Sequence, residues 1–336
     1  MLAVLDKLPG LRAAEPGEFT RRAFANGRID LTEAEGLADL LEAETESQRR
    51  AALRNADGAL RRQVEAWRDR VVTLSARAEA AIDYVGDEEE TAADESALAG
   101  EALALADELA GWLARPRVEA LKDGIRVVVA GPPNAGKSSL INSLTGFDRS
   151  IVTSVPGTTR DVIEVPVAIG GVAFVLVDTA GLRSSSDEVE RIGIERASVE
   201  VRPADLLLWL GEPDEAPDGA KVIQIHSRAD LPGRARAPGG SLAVSSLAGE
   251  GIPELVDRLL AEAKRHLPAD DQVTLNRRQA TCLEAAEAAL RDATSIQIEI
   301  NADAFRRARE SFDRVTGRSG VEDMLDALFG RFCLGK

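Results

Sequence analysis

The chain has 336 residues, of which 44% are hydrophobic and 29% are charged, as is typical of a globular protein long enough for two domains. Its formal net charge of -16 argues against a broad basic surface for nucleic acid, so contact with RNA would need a local basic patch or a partner protein. Aromatic residues make up only 4%, no apolar run approaches the ~20 residues of a membrane span, and two cysteines, Cys282 and Cys333, form no disulfide framework. These features favour a reducing, cytoplasmic setting.

The first 29 residues are too short to fold alone, and we interpret them as the end of a domain whose larger part is absent. Residues 19–24 predict a strand or a short helix with a basic edge. From Asp30, apolar residues recur at helical spacing to about Tyr84, which predicts one or two long helices with Gly36 and Gly58 as weak points. The acidic residues 87–90 predict a solvated turn, and residues 95–121 predict a further helix.

The middle of the chain alternates between strand-like and helix-like runs, which predicts a parallel sheet covered on both faces. The strand candidates are residues 125–130, 163–169, 172–178, 205–210, 221–225 and 241–245. Residues 252–266 predict the closing helix. Helical patterns return at 275–300, 302–315 and 321–332, so the α/β block is predicted to be inserted into a bundle built from both flanks.

A phosphate-binding loop is indicated by residues 131–138, which have the pattern G-x-x-x-x-G-K-S between a predicted strand and a predicted helix. Gly131 and Gly136 permit backbone angles that turn N–H groups toward phosphates. Lys137 is expected to reach the β- and γ-phosphates, and Ser138 to bind Mg²⁺. The nucleotide-binding residues predicted here are Asn134, Ala135, Gly136, Lys137, Ser138 and Ser139.

Two further segments complete the phosphate side. Thr153, Ser154, Val155, Pro156, Gly157, Thr158 and Thr159 form a loop ahead of the second strand, where P-loop GTPases close on Mg²⁺ and the γ-phosphate. An apolar strand then ends in Asp178, Thr179, Ala180 and Gly181, so the carboxylate is expected to hold Mg²⁺ through water.

The residue that orients the attacking water is not fixed by spacing alone. Leu182 stands where related enzymes place a glutamine, and Glu188 and Glu190 follow in a polar stretch. Either carboxylate could accept a hydrogen bond from water, but spacing alone favours two solvated residues at a helix start.

Guanine selection is predicted after the fifth strand. Asp230 can accept hydrogen bonds from guanine N1–H and N2–H, and the stem of Arg228 can cover the base. Ser227 stands where asparagine is usual and is a shorter partner for the neighbouring loop, so weaker binding is expected. Ser245, Ser246 and Leu247 form a second loop, expected to offer backbone N–H groups to the base oxygen.

In combination these motifs resemble the MnmE (TrmE) family of tRNA modification GTPases. The matching stretches are residues 16–24, 26–31, 81–84, 131–139, 157–161, 178–183, 187–193 and 332–336. The resemblance implies an α/β P-loop GTPase domain inserted into an all-α helical bundle domain. The expected boundaries are a remnant of the N-terminal folate-binding domain at 1–29, helical parts at 30–121 and 269–336, and the GTPase domain at 122–268.

The resemblance also implies functions for individual residues. Ser138 and Thr159 would bind Mg²⁺, whereas Asn134, Thr153, Val155 and Thr158 would bind K⁺. Glu190 would be the catalytic carboxylate beside Lys137, and Cys333 would lie near the modification site. Arg28 and Lys336 match positions that contact a tetrahydrofolate derivative.

The activity implied by the family is K⁺-stimulated GTP hydrolysis by a homodimer, coupled with the FAD-dependent partner MnmG to modification of C5 of the tRNA wobble uridine. The group added is carboxymethylaminomethyl or aminomethyl, and no membrane is involved. Two alternatives stay open: a non-catalytic, GTP-gated interaction module, and a ribosome-assembly GTPase. The split helical flanks and the terminal Cys-Leu-Gly-Lys disfavour the second alternative.

Overall fold

A computed structural model describes residues 9–83, 88–147, 163–178, 204–217, 221–234, 236–269, 271–294, 298–319, 325, 328–330 and 332. Contacts divide the chain into two compact units. We call residues 1–44, 48–118 and 270–336 the helical unit, and residues 45–47 and 119–269 the α/β unit.

The elements follow one another in a simple order along the chain. They are α1 (Glu18–Ala25), α2 (Leu31–Glu42), α3 (Glu46–Ala56), α4 (Ala59–Asp83), α5 (Glu88–Leu113), α6 (Glu119–Lys122), β1 (Ile125–Ala130), α7 (Lys137–Phe147), β2 (Ile163–Ile169), β3 (Val172–Asp178), β4 (Leu206–Trp209), β5 (Lys221–Ser227), β6 (Leu242–Val244), α8 (Ile252–His266), α9 (Arg277–Asp292) and α10 (Ile298–Thr316).

The helical unit buries one apolar face of each long helix in a common core. Trp67 of α4 stacks on Phe312 of α10 with ring centroids 6.1 Å apart, and both side chains are fully buried. Leucines and alanines of α5 and α9 fill the space around them. The bundle therefore draws its core from segments on both sides of the α/β unit in sequence.

Several helix boundaries differ from the sequence predictions. The long pattern after Asp30 forms three helices, α2 to α4, and Gly58 ends α3 with a φ of +76°. The acidic turn at 87–90 is wrong: α5 begins at Glu88, where the helix dipole favours acidic residues. The helix predicted over 95–121 ends at Leu113, ahead of Pro116, and α6 is separate.

The last helices are also displaced from their predicted bounds. The helix predicted over 275–300 ends at Asp292, and α10 already begins at Ile298 rather than at residue 302. The helix predicted over 321–332 lies mostly outside the described residues. Residues 19–24, left open between strand and helix, lie in α1.

The α/β unit contains a six-stranded sheet in the order β2-β3-β1-β4-β5-β6. The strand predictions are confirmed within two residues at each end, and α8 has its predicted bounds. The sheet is mixed rather than parallel, because β2 pairs with β3 in antiparallel register. The reason is the two-residue turn at Gly170 and Gly171, which joins Ile169 directly to its partner Val172 and leaves no length for a crossover.

The described part of the chain contains no helix that combines the length and the apolar character of a bilayer span.

Candidate nucleotide-binding site

The phosphate loop lies at the carboxyl end of β1, in the middle of the sheet between β3 and β4. Its glycines have the predicted special geometry, with φ of +145° at Gly131 and +98° at Gly136. A Cβ atom on Gly131 would lie 3.0 Å from the Cβ of Leu210, so the loop packs closely against the chain after β4. The loop then enters α7, which begins at Lys137. Backbone N–H groups at a helix N-terminus form a ready site for an anion.

Lys137 reaches back over this loop. Its ammonium group donates to the carbonyl oxygens of Gly131 and Pro132, each at 2.9 Å, and only 7% of the residue is exposed. Carbonyl partners compensate the burial of the charge. The Lys137 ammonium group therefore places a positive charge at the loop, where phosphate oxygens of a nucleotide would accept its hydrogen bonds.

Ser138 and Asp178 meet across two elements. The register of β1 and β3 pairs Asp178 with Val129, and the Ser138 hydroxyl donates to Oδ2 of Asp178 at 2.7 Å. Asp178 is 6% exposed. Mg²⁺ prefers a few protein oxygens and takes its remaining ligands from phosphate and water, so this hydroxyl–carboxylate pair suits Mg²⁺. Within the described ranges there is no group of three or more His, Cys, Asp and Glu side chains that would hold a metal by itself.

The end of β5 is joined to the phosphate loop. The Ser227 hydroxyl donates to the carbonyl oxygen of Ala135 at 2.7 Å, so serine is long enough to reach the loop. The Arg228 guanidinium donates to the carbonyl oxygen of Asn134. Asp230 is exposed beyond them. The contact made by Arg228 is not among the features predicted from the sequence.

The second predicted base loop follows β6. Ser245 is fully buried, and its hydroxyl accepts the N–H of Ala248 at 3.0 Å. The N–H of Ala229 donates to the carbonyl of Val244 at 3.2 Å, so the two loops are tied together. Ser246 is half-buried and Leu247 is 91% exposed. Ser245 therefore shapes its turn, while the exposed tip of the loop is free to meet a ligand.

Gly131 packs against the segment that follows β4. Two side chains that were not predicted from the sequence hold this segment in place. The Trp209 indole N–H donates to the carbonyl of Glu212 at 2.7 Å, and the Gln224 amide donates to the carbonyl of Gly211 at 2.6 Å. Neither residue belongs to a recognisable motif, so these contacts could not be predicted from the sequence.

Other predicted site residues lie outside the described residues. They are Thr153, Ser154, Val155, Pro156, Gly157, Thr158, Thr159, Thr179, Ala180, Gly181, Glu188, Glu190, Cys333 and Lys336. Arg28 is described in the helical unit, where it is exposed just after α1 and its N–H donates to the carbonyl of Ala23. The structure thus brings together residues 134–139, Asp178, 227–230 and 245–247 in the α/β unit.

Comparison with known proteins shows a matching family and several close relatives. The family model described as "MnmE helical domain" matches residues 31–333. The tRNA modification GTPase MnmE of Erythrobacter litoralis is 52% identical over 334 residues, which cover 99% of this chain and 78% of that protein. The proteins of the same name from Novosphingobium aromaticivorans and Zymomonas mobilis are 49% and 50% identical, and the matches cover 99% and 100% of this chain and 79% of each relative.

Among solved structures, the G domain of the T. maritima FeoB iron transporter is 24% identical and covers 41% of this chain and 98% of its own. Its TM-score to this chain is 0.30.

Proposed function

Since the chain belongs to the MnmE family of tRNA modification GTPases, we propose a K⁺-stimulated GTP hydrolase acting on the wobble uridine of tRNA. Membership of the family makes it a GTPase of tRNA modification. The cation, the partner, the modified position and the residue roles below are proposals that rest on the described contacts and on the resemblance.

Phosphate binding is assigned to the loop after β1. Lys137 would exchange its bonds to the Gly131 and Pro132 carbonyls for β- and γ-phosphate oxygens. The N–H groups of residues 134–139 would donate to the phosphates, and Thr153–Thr159 and Thr179–Gly181 would close over them. Water attacks the γ-phosphorus, the bond to the β–γ bridging oxygen breaks, and inorganic phosphate leaves. Glu190 would orient that water and accept its hydrogen bond.

Two cations would complete the site. Ser138 and Thr159 would hold Mg²⁺, with Asp178 acting through water, and Asn134, Thr153, Val155 and Thr158 would hold K⁺. Such cations would supply positive charge beside the transferring phosphoryl group. Of the proposed Mg²⁺ ligands, Ser138 is described, and it lies against the carboxylate of Asp178.

Base selection is assigned to the ends of β5 and β6. Asp230 would accept the N1–H and N2–H of guanine, and the loop at Ser245, Ser246 and Leu247 would donate to its O6. Adenine offers no matching pair of donors, so this arrangement favours GTP over ATP.

At the level of the whole chain we propose a GTPase domain at 122–268 inserted between helical parts at 30–121 and 269–336. Its partners would be a second copy of the chain, MnmG and tRNA, in the cytoplasm. Arg28 and Lys336 would contact a tetrahydrofolate derivative, and Cys333 would act near the modified uridine.

The observation that carries the nucleotide proposal is the loop itself. Lys137, Ser138, Asp178 and Ser227 come from three elements, α7, β3 and β5, and their polar atoms are all held at or beside the same six-residue loop. The helix dipole of α7 adds partial positive charge at the same place.

The test is the steady-state rate of GTP hydrolysis in KCl and in NaCl at matched ionic strength, with Glu190→Ala as the control. We expect higher turnover in K⁺ and loss of turnover in the variant. Equal rates in both salts would contradict the K⁺ proposal. The tRNA role is tested separately by nucleoside analysis of wobble uridine in a deletion strain, where the modified base should disappear and return with the gene.

A further inference from the structure

The carboxyl group of Glu35, in α2, is held by two side chains from α9 of the helical unit. Its Oε1 accepts the Arg278 Nε–H at 2.7 Å. Its Oε2 accepts a second Arg278 N–H at 2.8 Å and the Gln279 amide N–H at 2.7 Å. The side chains of Glu35 and Arg278 are only 12% and 20% exposed. A bidentate pair of this kind fixes the relative orientation of its partners, and shielding from water strengthens it.

Both partners of Glu35 belong to the first turn of α9, which is itself capped. The Asn276 side chain accepts the N–H of Gln279 at 2.9 Å, and Oε1 of Gln279 accepts the N–H of Asn276 at 3.0 Å. Gln279 therefore caps α9 with its side-chain oxygen and binds Glu35 with its side-chain nitrogen. The carboxylate of Glu35 also lies at the N-terminal end of α9, where the helix dipole favours a negative charge.

The Arg278 guanidinium also binds the last turn of α10. It donates to the carbonyl oxygens of Arg314 at 2.8 Å and Val315 at 3.0 Å. Carbonyls in this turn lack partners within the helix and carry partial negative charge, so a guanidinium is a suitable donor. A Cβ on Gly317 would lie 2.8 Å from the Cβ of Leu31, so the chain after α10 packs tightly on α2. The start of α9 and the end of α10 are therefore both tied to α2.

The same helix packs against the end of the chain. Three buried residues of α2 form an apolar cluster with three buried residues near the carboxyl terminus: Leu31, Ala34 and Ala38 with Leu328, Phe329 and Phe332. Phe332 directly precedes Cys333, the residue proposed to act near the modified uridine. The placement of α2 therefore determines where the residues that lead to Cys333 are held. All of these residues belong to the helical unit, whereas the proposed nucleotide site lies in the α/β unit.

We propose that Glu35 and Arg278 are positioning residues for tRNA modification, acting through α2 on the segment that leads to Cys333. The proposal rests on the proposed function, in which GTP is hydrolysed in the α/β unit and the uridine is modified beside the C-terminal residues. Its consequence is that loss of this ion pair impairs modification and leaves GTP turnover intact.

Two variants of the full chain break the bidentate pair. Glu35→Gln keeps the shape of the side chain without its charge, and Arg278→Lys keeps the charge without the planar fork. Glu101→Gln is the matched control, since Glu101 accepts a hydrogen bond from Arg77 at 2.7 Å in an exposed ion pair between α5 and α4. Melting temperature, steady-state GTP turnover and amide hydrogen exchange are measured for each variant. Each gene is also returned to the deletion strain for nucleoside analysis.

We expect Glu35→Gln and Arg278→Lys to be folded, to keep GTP turnover within about twofold of wild type, and to lose most of the modified uridine. Amide exchange in peptides that contain residues 328–332 should be roughly 10- to 100-fold faster, the range for losing a hydrogen bond to a charged group. Peptides from residues 98–109 of α5 should exchange as in wild type. Glu101→Gln should match wild type in every measurement.

Wild-type modification in both variants would overturn the proposal, and so would unchanged exchange at residues 328–332. A parallel loss of GTP turnover and modification would also overturn it, because that is the result of a merely structural ion pair. If the wild-type gene does not restore the modified uridine, the proposed function is wrong instead. Hydrogen exchange at residues 328–332 then still decides whether the pair positions this segment.

Discussion

One hydroxyl group joins the base side of the site to the phosphate side. Ser227 lies at the end of β5, and its Oγ is 2.7 Å from the carbonyl oxygen of Ala135 in the phosphate loop. The backbone oxygen of the same serine accepts the Arg234 Nε–H at 3.1 Å, which holds the following loop in place. The short side chain at this position therefore does not leave the two loops unconnected, contrary to what its length suggested.

Removal of this hydroxyl tests the connection. Ser227→Ala should weaken GDP binding by roughly 2- to 10-fold, because a neutral hydrogen bond contributes about 0.5–1.5 kcal/mol. Calorimetric titration measures the change. Ser241→Ala, at a serine just before β6, is the matched control and should bind GDP like wild type. An unchanged dissociation constant for Ser227→Ala would show that the hydroxyl is dispensable.

A second residue-scale feature is the carboxyl group that caps α2. Oδ1 of Asp30 accepts the N–H of Glu33 at 2.9 Å and the hydroxyl of Thr32 at 2.7 Å. Its Oδ2 is buried without a hydrogen-bond partner in the described part of the chain. Burial raises the pKa of Asp30 above its ordinary value of 3.8, against the opposing effect of those hydrogen bonds.

The raised pKa fixes the sign of a pH effect. The folded state binds the proton more tightly, so Asp30 favours folding below its unfolded pKa and loses that contribution as pH rises through the folded pKa. Asp30→Asn keeps the capping oxygen and removes the charge. We expect the free energy of unfolding of Asp30→Asn, relative to wild type, to increase as pH rises from about 3.8 toward neutrality. Urea unfolding of the variant and of wild type at several pH values measures this difference in free energy. A difference that decreases as pH rises would contradict the raised pKa of Asp30.

At the scale of elements, sequence and structure agree where a pattern is local. The strands were predictable because β-branched runs end at turn residues, and the start of α2 because Asp30 and Glu33 form a capping box. The phosphate loop was predictable because its glycines, lysine and serine act at fixed spacing. The antiparallel pairing of β2 and β3 differs from the predicted parallel sheet, because the two-residue turn at Gly170 and Gly171 reverses the chain direction.

The helix boundaries could not be predicted from the sequence for a different reason. The sequence pattern indicates Gly36 as a weak point in one or two long helices, but it is a packing position in α2. A Cβ there would lie 2.4 Å from the backbone N of Ala56 and 2.8 Å from the carbonyl carbon of Asn55, near the end of α3. Periodicity along one segment cannot show which backbone approaches it. The Arg228 contact with Asn134 was likewise hidden, since it joins residues 94 positions apart.

Gly36→Ala should therefore destabilise the protein by about 1–3 kcal/mol, the usual cost of overpacking, because the atoms that a methyl group meets belong to the backbone. Gly100→Ala is the matched control: Gly100 lies on an exposed position of α5 with nothing within 4 Å of an added Cβ. That variant should be stabilised by up to about 1 kcal/mol through helix propensity. Thermal unfolding measures the melting temperature of both variants relative to wild type. Equal shifts in the two variants would contradict close packing at Gly36.

At the scale of the whole molecule, charge and organisation set what the chain can bind. The formal net charge is -16, and acidic residues outnumber basic ones by 57 to 41. A protein with this balance has no long-range attraction for tRNA, so the proposed role in tRNA modification requires a local patch or a partner chain.

Direct binding of tRNA should accordingly depend only weakly on salt. Each phosphate contact contributes about 0.7–0.9 to the slope of log affinity against log salt, so we expect a slope of magnitude below about 3 for the isolated chain. Filter binding between roughly 50 and 200 mM salt measures the slope. A slope of about 6 or more would reveal a broad basic surface and contradict this expectation.

We propose that the site built on the loop after β1 binds and hydrolyses GTP, with Lys137 at the phosphates and Asp230 at the base. The most direct measurement is phosphate release from GTP and from ATP at equal concentration, with Mg²⁺ and KCl, by wild type and by Lys137→Ala. We predict release from GTP well above release from ATP, and loss of GTP turnover in the variant. Equal turnover of ATP, or GTP turnover that survives in Lys137→Ala, would contradict the account.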